Sequence, residues 1–284
     1  MSAPGSDERR QAFAGLHRRG QPFLLPNAWD VASALVLADA GFPAVATTSL
    51  GVNAVAGFVD GAGTGRAATV AVAAAIAARL TVPVSVDLEG GYSEDPAAVA
   101  DLVAGLASAG VAGINLEDVS AGGELRAPAA QATIIRAVVA AAPGVFVNAR
   151  TDVFWLEYGP RAERRAETIA RLMAYAQAGA SGVYVPGLTD IAEIESVTAA
   201  VELPLNLLWR PDQDLPRLAA AGVARISTGS APYRRGLAAA LATAVAARDG
   251  DQPPAPDLSY GSLQALLRAS QPAKAPHSTP FSSA

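Results

Sequence analysis

An Ala-Gly step followed by an apolar residue recurs four times, in Asp39-Ala40-Gly41-Phe42, Ser108-Ala109-Gly110-Val111, Gln177-Ala178-Gly179-Ala180 and Ala220-Ala221-Gly222-Val223. Glycine just past a helix takes the left-handed backbone that closes its last turn. Each phrase therefore marks the same event, an Ala-rich helix handing over to an apolar strand. Strands are expected at Phe23 to Pro26, Ala44 to Thr48, Val84 to Leu88, Gly113 to Leu116, Val145 to Ala149, Gly182 to Val185, Leu205 to Leu208 and Ala224 to Thr228. Helices are expected near 28–40, 66–79, 96–109, 129–141, 161–178, 189–200, 212–221 and 231–247. Asp95 before Pro96 reads as an N-cap followed by a first-turn proline. Eight alternating units predict an α/β fold, a (β/α)8 TIM-type barrel rather than an open doubly wound sheet. The barrel is assigned to residues 1–250. A linker and a C-terminal helix follow at 251–269, with Leu263, Leu266 and Leu267 as the helix's apolar face, and 270–284 is a Pro/Ser-rich tail expected to be disordered.

Composition removes whole classes of chemistry. The chain has no Cys; its one Lys is Lys274, and its His residues are His17 and His277, near the two ends. A Cys/His zinc site, disulfides and a Schiff-base lysine inside the fold are excluded. What remains is carboxylates, hydroxyls, Arg, backbone groups, water and metal. A net charge of -5 gives no reason to expect nucleic acid or an anionic membrane as partner. The longest apolar run, Ala67 to Ala78, is too short to span a bilayer, and no secretory signal is visible. A cytoplasmic protein acting on a small molecule is expected.

Catalytic groups of such barrels collect at the carboxyl ends of the strands. Those ends carry Asn27, Trp29 and Asp30; then Thr47, Thr48, Ser49 and Leu50, with Asn53 and Asp60 in the following loop. Next come Asp87 and Glu89, Glu117 and Asp118, then Asn148, Arg150 and Asp152, and finally Ser227, Thr228 and Ser230. Alternation along a strand turns Asp87 and Glu89 to one face. Charge at a buried strand end is costly unless paired, hydrogen-bonded or bound to a cation. Oxygen-only ligands suit a hard cation, and Mg2+ keeps several waters while taking one or two carboxylates directly. Asp87 is the expected direct ligand, with Asp60, Glu89 and Glu117 holding the waters; Mn2+ is the alternative ion. Arg150 is suited to anchor a substrate carboxylate bidentately, and the Thr48-Ser49-Leu50 turn to offer backbone N–H groups to an oxyanion. Ser230 is a further substrate contact. Asp118 is expected to brace the loop after it, Asp30 to open a helix, and Tyr233 to pack.

These residues resemble the isocitrate lyase/phosphoenolpyruvate mutase superfamily, in particular its small phosphonomutase-like members. The resemblance rests on Pro26-Asn27-Ala28-Trp29-Asp30, Thr47-Thr48-Ser49-Leu50-Gly51, Gly57-Phe58-Val59-Asp60, Val86-Asp87-Leu88-Glu89-Gly90-Gly91-Tyr92, Asn115-Leu116-Glu117-Asp118 and Asn148-Ala149-Arg150-Thr151-Asp152. It implies a (β/α)8 barrel, a homo-oligomer (dimer or tetramer) with an exchanged C-terminal helix, and Mg2+ near Asp87. It also implies an α-keto acid or enolate held by the Ser49–Leu50 turn and Arg150. The catalytic groups are expected to be Arg150, Asp60 and Glu117.

The departures carry as much information. The family's lyases have a Lys-Lys-Cys-Gly-His-type loop after the fourth strand; here that place reads Val119-Ser120-Ala121-Gly122-Gly123-Glu124-Leu125-Arg126-Ala127. The Lys- and Asn-containing lid of the mutases and phosphonopyruvate hydrolases is missing too. Retro-aldol cleavage needs a base for the hydroxyl proton, and decarboxylation of a β-keto acid does not. The expected activity is therefore Mg2+-dependent, oxaloacetate-like decarboxylation through a pyruvate-type enolate. The alternatives are a retro-aldol 2-hydroxy acid lyase with Glu or Tyr92 as base, P–C bond chemistry, or a barrel that binds an α-keto acid without turnover.

Overall fold

The computed structural model describes residues 5–252 and 258–271. Lys274, His277 and nearly all of the tail expected to be disordered lie outside the described residues, as does most of the 251–257 linker. The elements run α1 (Ser6–Leu16), β1 (Phe23–Leu25), β2 (Asn27–Ala28), α2 (Val31–Asp39), β3 (Val45–Thr47), α3 (Ser49–Val55), α4 (Arg66–Ala77), β4 (Val84–Asp87), α5 (Pro96–Ser108) and β5 (Gly113–Glu117). Then come α6 (Pro128–Ala141), β6 (Phe146–Arg150), α7 (Arg164–Gln177), β7 (Gly182–Tyr184), α8 (Ile191–Ala200), β8 (Leu205–Leu208), α9 (Leu215–Ala220), β9 (Val223–Ser227), α10 (Ala231–Asp249) and α11 (Tyr260–Ala269).

All strand pairs are parallel, in the order β1-β9-β8-β7-β6-β5-β4-β3-β2. The expected first strand is split because Pro26 has no N–H to give the ladder. Its two halves serve opposite neighbours: β1 pairs with β9 and β2 with β3. Pro26 still accepts from the Ala46 amide at 2.9 Å. One interrupted strand thus closes the ring, and the eightfold barrel expected from the sequence is the fold. The four repeated turns have Gly41, Gly110, Gly179 and Gly222 at φ between 85 and 96°, where a side chain would be strained. Asp95 accepts from the Ala97 amide with Pro96 in the first turn of α5.

Two helices were not expected. The short α3 begins where a Thr48-Ser49-Leu50 turn was expected. The other, α1, plugs the amino end of the barrel. Phe13 is fully buried in a small cluster with Leu25, Ala44, Ala46, Ala112 and Phe146. Its ring meets Phe146 edge-on at 5.6 Å, and His17 stacks on Phe146 at 3.8 Å. Strand glycines make the room: a Cβ on Gly113 would stand 2.5 Å from the Phe13 ring, and one on Gly182 2.7 Å from Phe146. At the other end of the chain, α11 lies against α2 of its own chain. The face of α10 bearing Leu237, Leu241 and Val245 is exposed. Among the described residues no helix is long and apolar enough to cross a membrane.

Phe13→Ala removes the plug's one fully buried ring. The expected loss is about 3–5 kcal/mol of unfolding free energy, read by urea titration. A loss below about 1 kcal/mol would mean that α1 is dispensable to the barrel.

Candidate active site at the mouth of the barrel

Side chains in register on neighbouring parallel strands stand side by side on one face. In this barrel Glu117 of β5 is in register with Arg150 of β6, and Arg150 with Tyr184 of β7. That row forms the rim. Arg150 Nη1 lies 2.9 Å from Glu117 Oε2, and the guanidinium sits 5.6 Å from the Tyr184 ring centroid. Two residues beyond, Asp152 takes the other edge of the fork, at 2.5 Å from Nε and 2.7 Å from Nη2. Arg150 is thus held by two carboxylates as well as being available to a ligand. These acids push its pKa well above the ordinary arginine value against the effect of burial.

Asp87 closes β4, and its Oδ2 accepts from the Ser49 amide at 3.2 Å. Its own amide donates to Thr47 Oγ1 at 3.0 Å. Burial pushes the Asp87 carboxyl up, Arg150 and Ser49 pull it down, and Asp60 pushes it up again. Glu89 is not where strand alternation puts it. The strand stops at Asp87, and Glu89 takes a left-handed φ of 49° in the turn that follows. That conformation costs a non-glycine residue on the order of 1 kcal/mol. The turn is fixed by the Glu117 amide donating to the Glu89 carbonyl at 3.0 Å. The Glu89 carboxylate accepts from Asn53 Nδ2 at 2.7 Å, and the same amide reaches Asp60 Oδ1 at 3.3 Å. Asn53, carried into place by α3, therefore joins the two acids. Burial, then Asp60 and Asp87, push Glu89 up while Asn53 opposes them.

A cavity of about 130 Å3 opens at the rim, lined by Thr48, Ser49, Leu50, Asp60, Asp87, Arg150 and Ser230 of the expected set. Asn115, Trp155, Tyr184, Ser227 and Gly229 also line it. Glu89 and Glu117 line a neighbouring hollow, with Tyr92 and Arg126, under the 119–127 loop. That loop is a tight hairpin bridged between Val119 and Leu125 and pinned by Arg126, which makes a two-pronged contact with Glu94 at 2.7 and 2.8 Å. The Ser49 amide, expected to be free for an oxyanion, is already committed to Asp87. The Leu50 amide lies in the first turn of α3, where a helix offers no acceptor of its own.

Asp118 braces the site from behind. Thr151 Oγ1, the Asp152 amide, Arg171 Nη1 and the Tyr175 hydroxyl all donate to it, at 2.7, 3.1, 3.2 and 2.7 Å. Asp30 accepts from the Ser33 amide and caps α2, and Tyr233 packs edge-on against Trp29 at 5.2 Å. Tyr184 and Asn115 are inward positions of strands and follow from parity. Trp155 arrives on an irregular loop with no local signal.

The donor set fits a hard divalent cation. Burial, then Asp60 and Asp87, push Glu89 up, burial and Asp60 push Asp87 up, and burial carries Glu117 up to about 8 despite Arg150, so these acids are held away from their charged forms for want of a further cation. Among the described residues no three acids converge closely enough to enclose an ion by themselves. One direct carboxylate with the others acting through water is the arrangement Mg2+ favours.

A closed parallel barrel with its acids at the carboxyl rim is an enzyme scaffold of the (β/α)8 type. The chain belongs to the phosphoenolpyruvate phosphomutase family, whose model matches residues 13–248. It is 46% identical over 256 residues to an uncharacterized protein of Mycobacterium tuberculosis, covering 90% of this chain and 96% of that one. It is 30% identical over 239 residues to the oxaloacetate decarboxylase of Ectopseudomonas mendocina, covering 80% of each. A crystal structure from Burkholderia cenocepacia J2315, provisionally named a phosphonomutase, superposes with a TM-score of 0.79 at 44% identity, over 84% of this chain and 99% of that one. The protein is an enzyme of the isocitrate lyase/phosphoenolpyruvate mutase superfamily, a group of lyases and mutases.

Asp118→Asn leaves Arg171 and Tyr175 facing a neutral amide in a buried pocket. The expected cost is about 3–5 kcal/mol of unfolding free energy. It is measured by denaturant titration, and an unchanged midpoint would remove Asp118 from the frame of the site.

Proposed function

We propose that the protein is a divalent-metal-dependent lyase that decarboxylates a small β-keto acid of the oxaloacetate type. The observation that carries this reading is a rim rich in acids and anion donors but poor in free bases. Glu117 is engaged by Arg150 at 2.9 Å. The Tyr92 hydroxyl shares a hydrogen bond with Thr69 Oγ1 at 2.9 Å, and burial pushes its pKa far up, so it stays a neutral phenol. Glu89 is held by Asn53 Nδ2 at 2.7 Å, so none of the three stands free as the base that retro-aldol cleavage requires. Loss of CO2 requires none: the C–C bond electrons pass into the ketone and leave the enolate of pyruvate, which takes a proton at carbon from water.

Asp87 would hold Mg2+, or Mn2+, directly, with Asp60, Glu89 and Glu117 ordering its waters. The ion supplies Lewis-acid stabilisation of the developing enolate. Arg150, fixed by Glu117 and Asp152, has an N–H left on each terminal nitrogen for the substrate carboxylate. The Leu50 amide and Ser230 complete the cradle for the anion. The 30% identity to an oxaloacetate decarboxylase supports the same reading.

Pyruvate release from oxaloacetate is expected to depend on Mg2+, and Asp87→Ala to lower it by on the order of 100-fold or more. Turnover that survives Asp87→Ala, or that never exceeds the rate with free metal ion, sinks the proposal.

We also infer that the protein self-associates through α10. Leu237, Leu241 and Val245 are spaced along one helical face and stand 55, 67 and 37% exposed. An apolar stripe of that kind marks an association surface. Leu241→Glu is expected to shift the particle to a smaller species in light scattering; an unchanged mass would exclude this face.

A further inference from the structure

The interior of the barrel is unusually polar. Bulky branched residues ordinarily fill a (β/α)8 interior. Here Arg225, on β9, is wholly buried. Its Nε donates to Ser227 Oγ at 3.0 Å on its own strand. Its Nη2 donates to Asn115 Oδ1, also at 3.0 Å. Strands β9 and β5 are not neighbours, since β8, β7 and β6 stand between them. The Arg225–Asn115 bond therefore crosses the barrel. Both partners line the catalytic cavity, so the guanidinium sits directly beneath its floor.

This cation lacks the usual compensation. Among the described residues its hydrogen bonds go to neutral groups, Nη1 has no partner, and no carboxylate lies within ion-pair distance. Burial pulls its pKa down to about 10, so it remains charged at neutral pH; Tyr184 and Asp87 act in the opposite direction. Below it, His17 is neutral, held down to about 3 by burial and by the charge of Arg225 itself. A buried, unpaired cation is destabilising. A hydrophobic side chain of similar length would suit the fold better.

We propose that Arg225 is a positioning residue of this site: it spans the barrel to fix Asn115 and Ser227 in the cavity floor, and its charge, engaged in no ion pair, favours a planar carboxylate or enolate anion above them. The inference rests on the enolate-site reading given above. In a dry interior a unit charge acts strongly across a few ångströms, so its removal is felt by the ligand although no contact with the ligand is lost. Removal leaves each floor residue one bond, so the fold is kept while the orientation of Asn115 and Ser227 loosens. Asn115 keeps Asn148 Nδ2 at 2.9 Å, and Ser227 keeps Asn206 Oδ1 at 3.2 Å.

The test measures oxalate binding with Mg2+ by calorimetry and the thermal midpoint of the full chain, for wild type, Arg225→Met and Arg225→Lys. Arg225→Met is expected to melt no lower than wild type yet to bind oxalate more weakly by about tenfold or more. Arg225→Lys, which keeps the charge and loses the fork, is expected to fall between the two. If Arg225→Met fails to fold or melts clearly lower, Arg225 is structural and the inference is overturned. Unchanged oxalate affinity in a folded Arg225→Met overturns it as well, as does a Lys variant no better than Met. Oxalate binding by a wild type that does not turn over oxaloacetate sinks decarboxylation alone, whereas no oxalate binding by wild type sinks both.

Discussion

Arg150 is the cation on which the mouth of this barrel depends. Strand register sets it beside Glu117, and chain proximity sets it beside Asp152, so two carboxylates share one guanidinium at 2.9 and 2.5 Å. Without it, the acids of the rim would face one another in a half-buried space, where charge is expensive. With it, the rim remains short of positive charge. That residual field suits a divalent cation and its anionic ligand. The loops behind then serve to keep Arg150 still. Asp118 gathers Thr151, the Asp152 amide, Arg171 and Tyr175 into one knot, and the strand bearing Arg150 cannot shift without breaking it.

The two ends of the barrel divide the work of stability and chemistry. The amino end is sealed by α1, with Phe13 and Phe146 filling space that Gly113 and Gly182 leave open. The carboxyl end gives up apolar packing for charge. Between them lies a polar layer of Ser85, Asn115, Asn148, Asn206 and Arg225, all buried. Such a layer is tolerated only where its members satisfy one another. Here some atoms stay unpartnered, Arg225 Nη1 and Asn148 Oδ1 among them. An enzyme that accepts this cost beneath its active site is trading fold stability for the field it needs.

The architecture was largely legible in the sequence. The four Ala-Gly turns and the Asp95–Pro96 cap gave helix ends that agree with the structure to within a few residues, because these signals act through local backbone sterics. Chain-local reasoning failed where geometry is set from a distance. Strand alternation puts Glu89 on the face of Asp87, but the strand ends at Asp87 and the Glu117 amide from the next strand fixes the turn beyond. Ser49 is expected in a turn with Thr48 and Leu50. It heads α3, a short helix whose Asn53 ties Asp60 to Glu89. The helix α1 carried no strong apolar period, since Phe13 is its one buried residue.

The sequence by itself determined the kind of chemistry. With no cysteine and no lysine or histidine placed at the rim, carboxylates, hydroxyls, one arginine and backbone donors were left, and strand-end position was enough to collect most of them. Which of these groups meet was decided by the tertiary structure. Register paired Arg150 with Glu117, chain closure brought Ser230 to Asp87's cavity, and the barrel's diameter let Arg225 reach Asn115 from the far side. Residue types carry their chemistry locally, but electrostatic coupling falls with distance in space. Only the closed ring brings positions more than a hundred residues apart within hydrogen-bond reach.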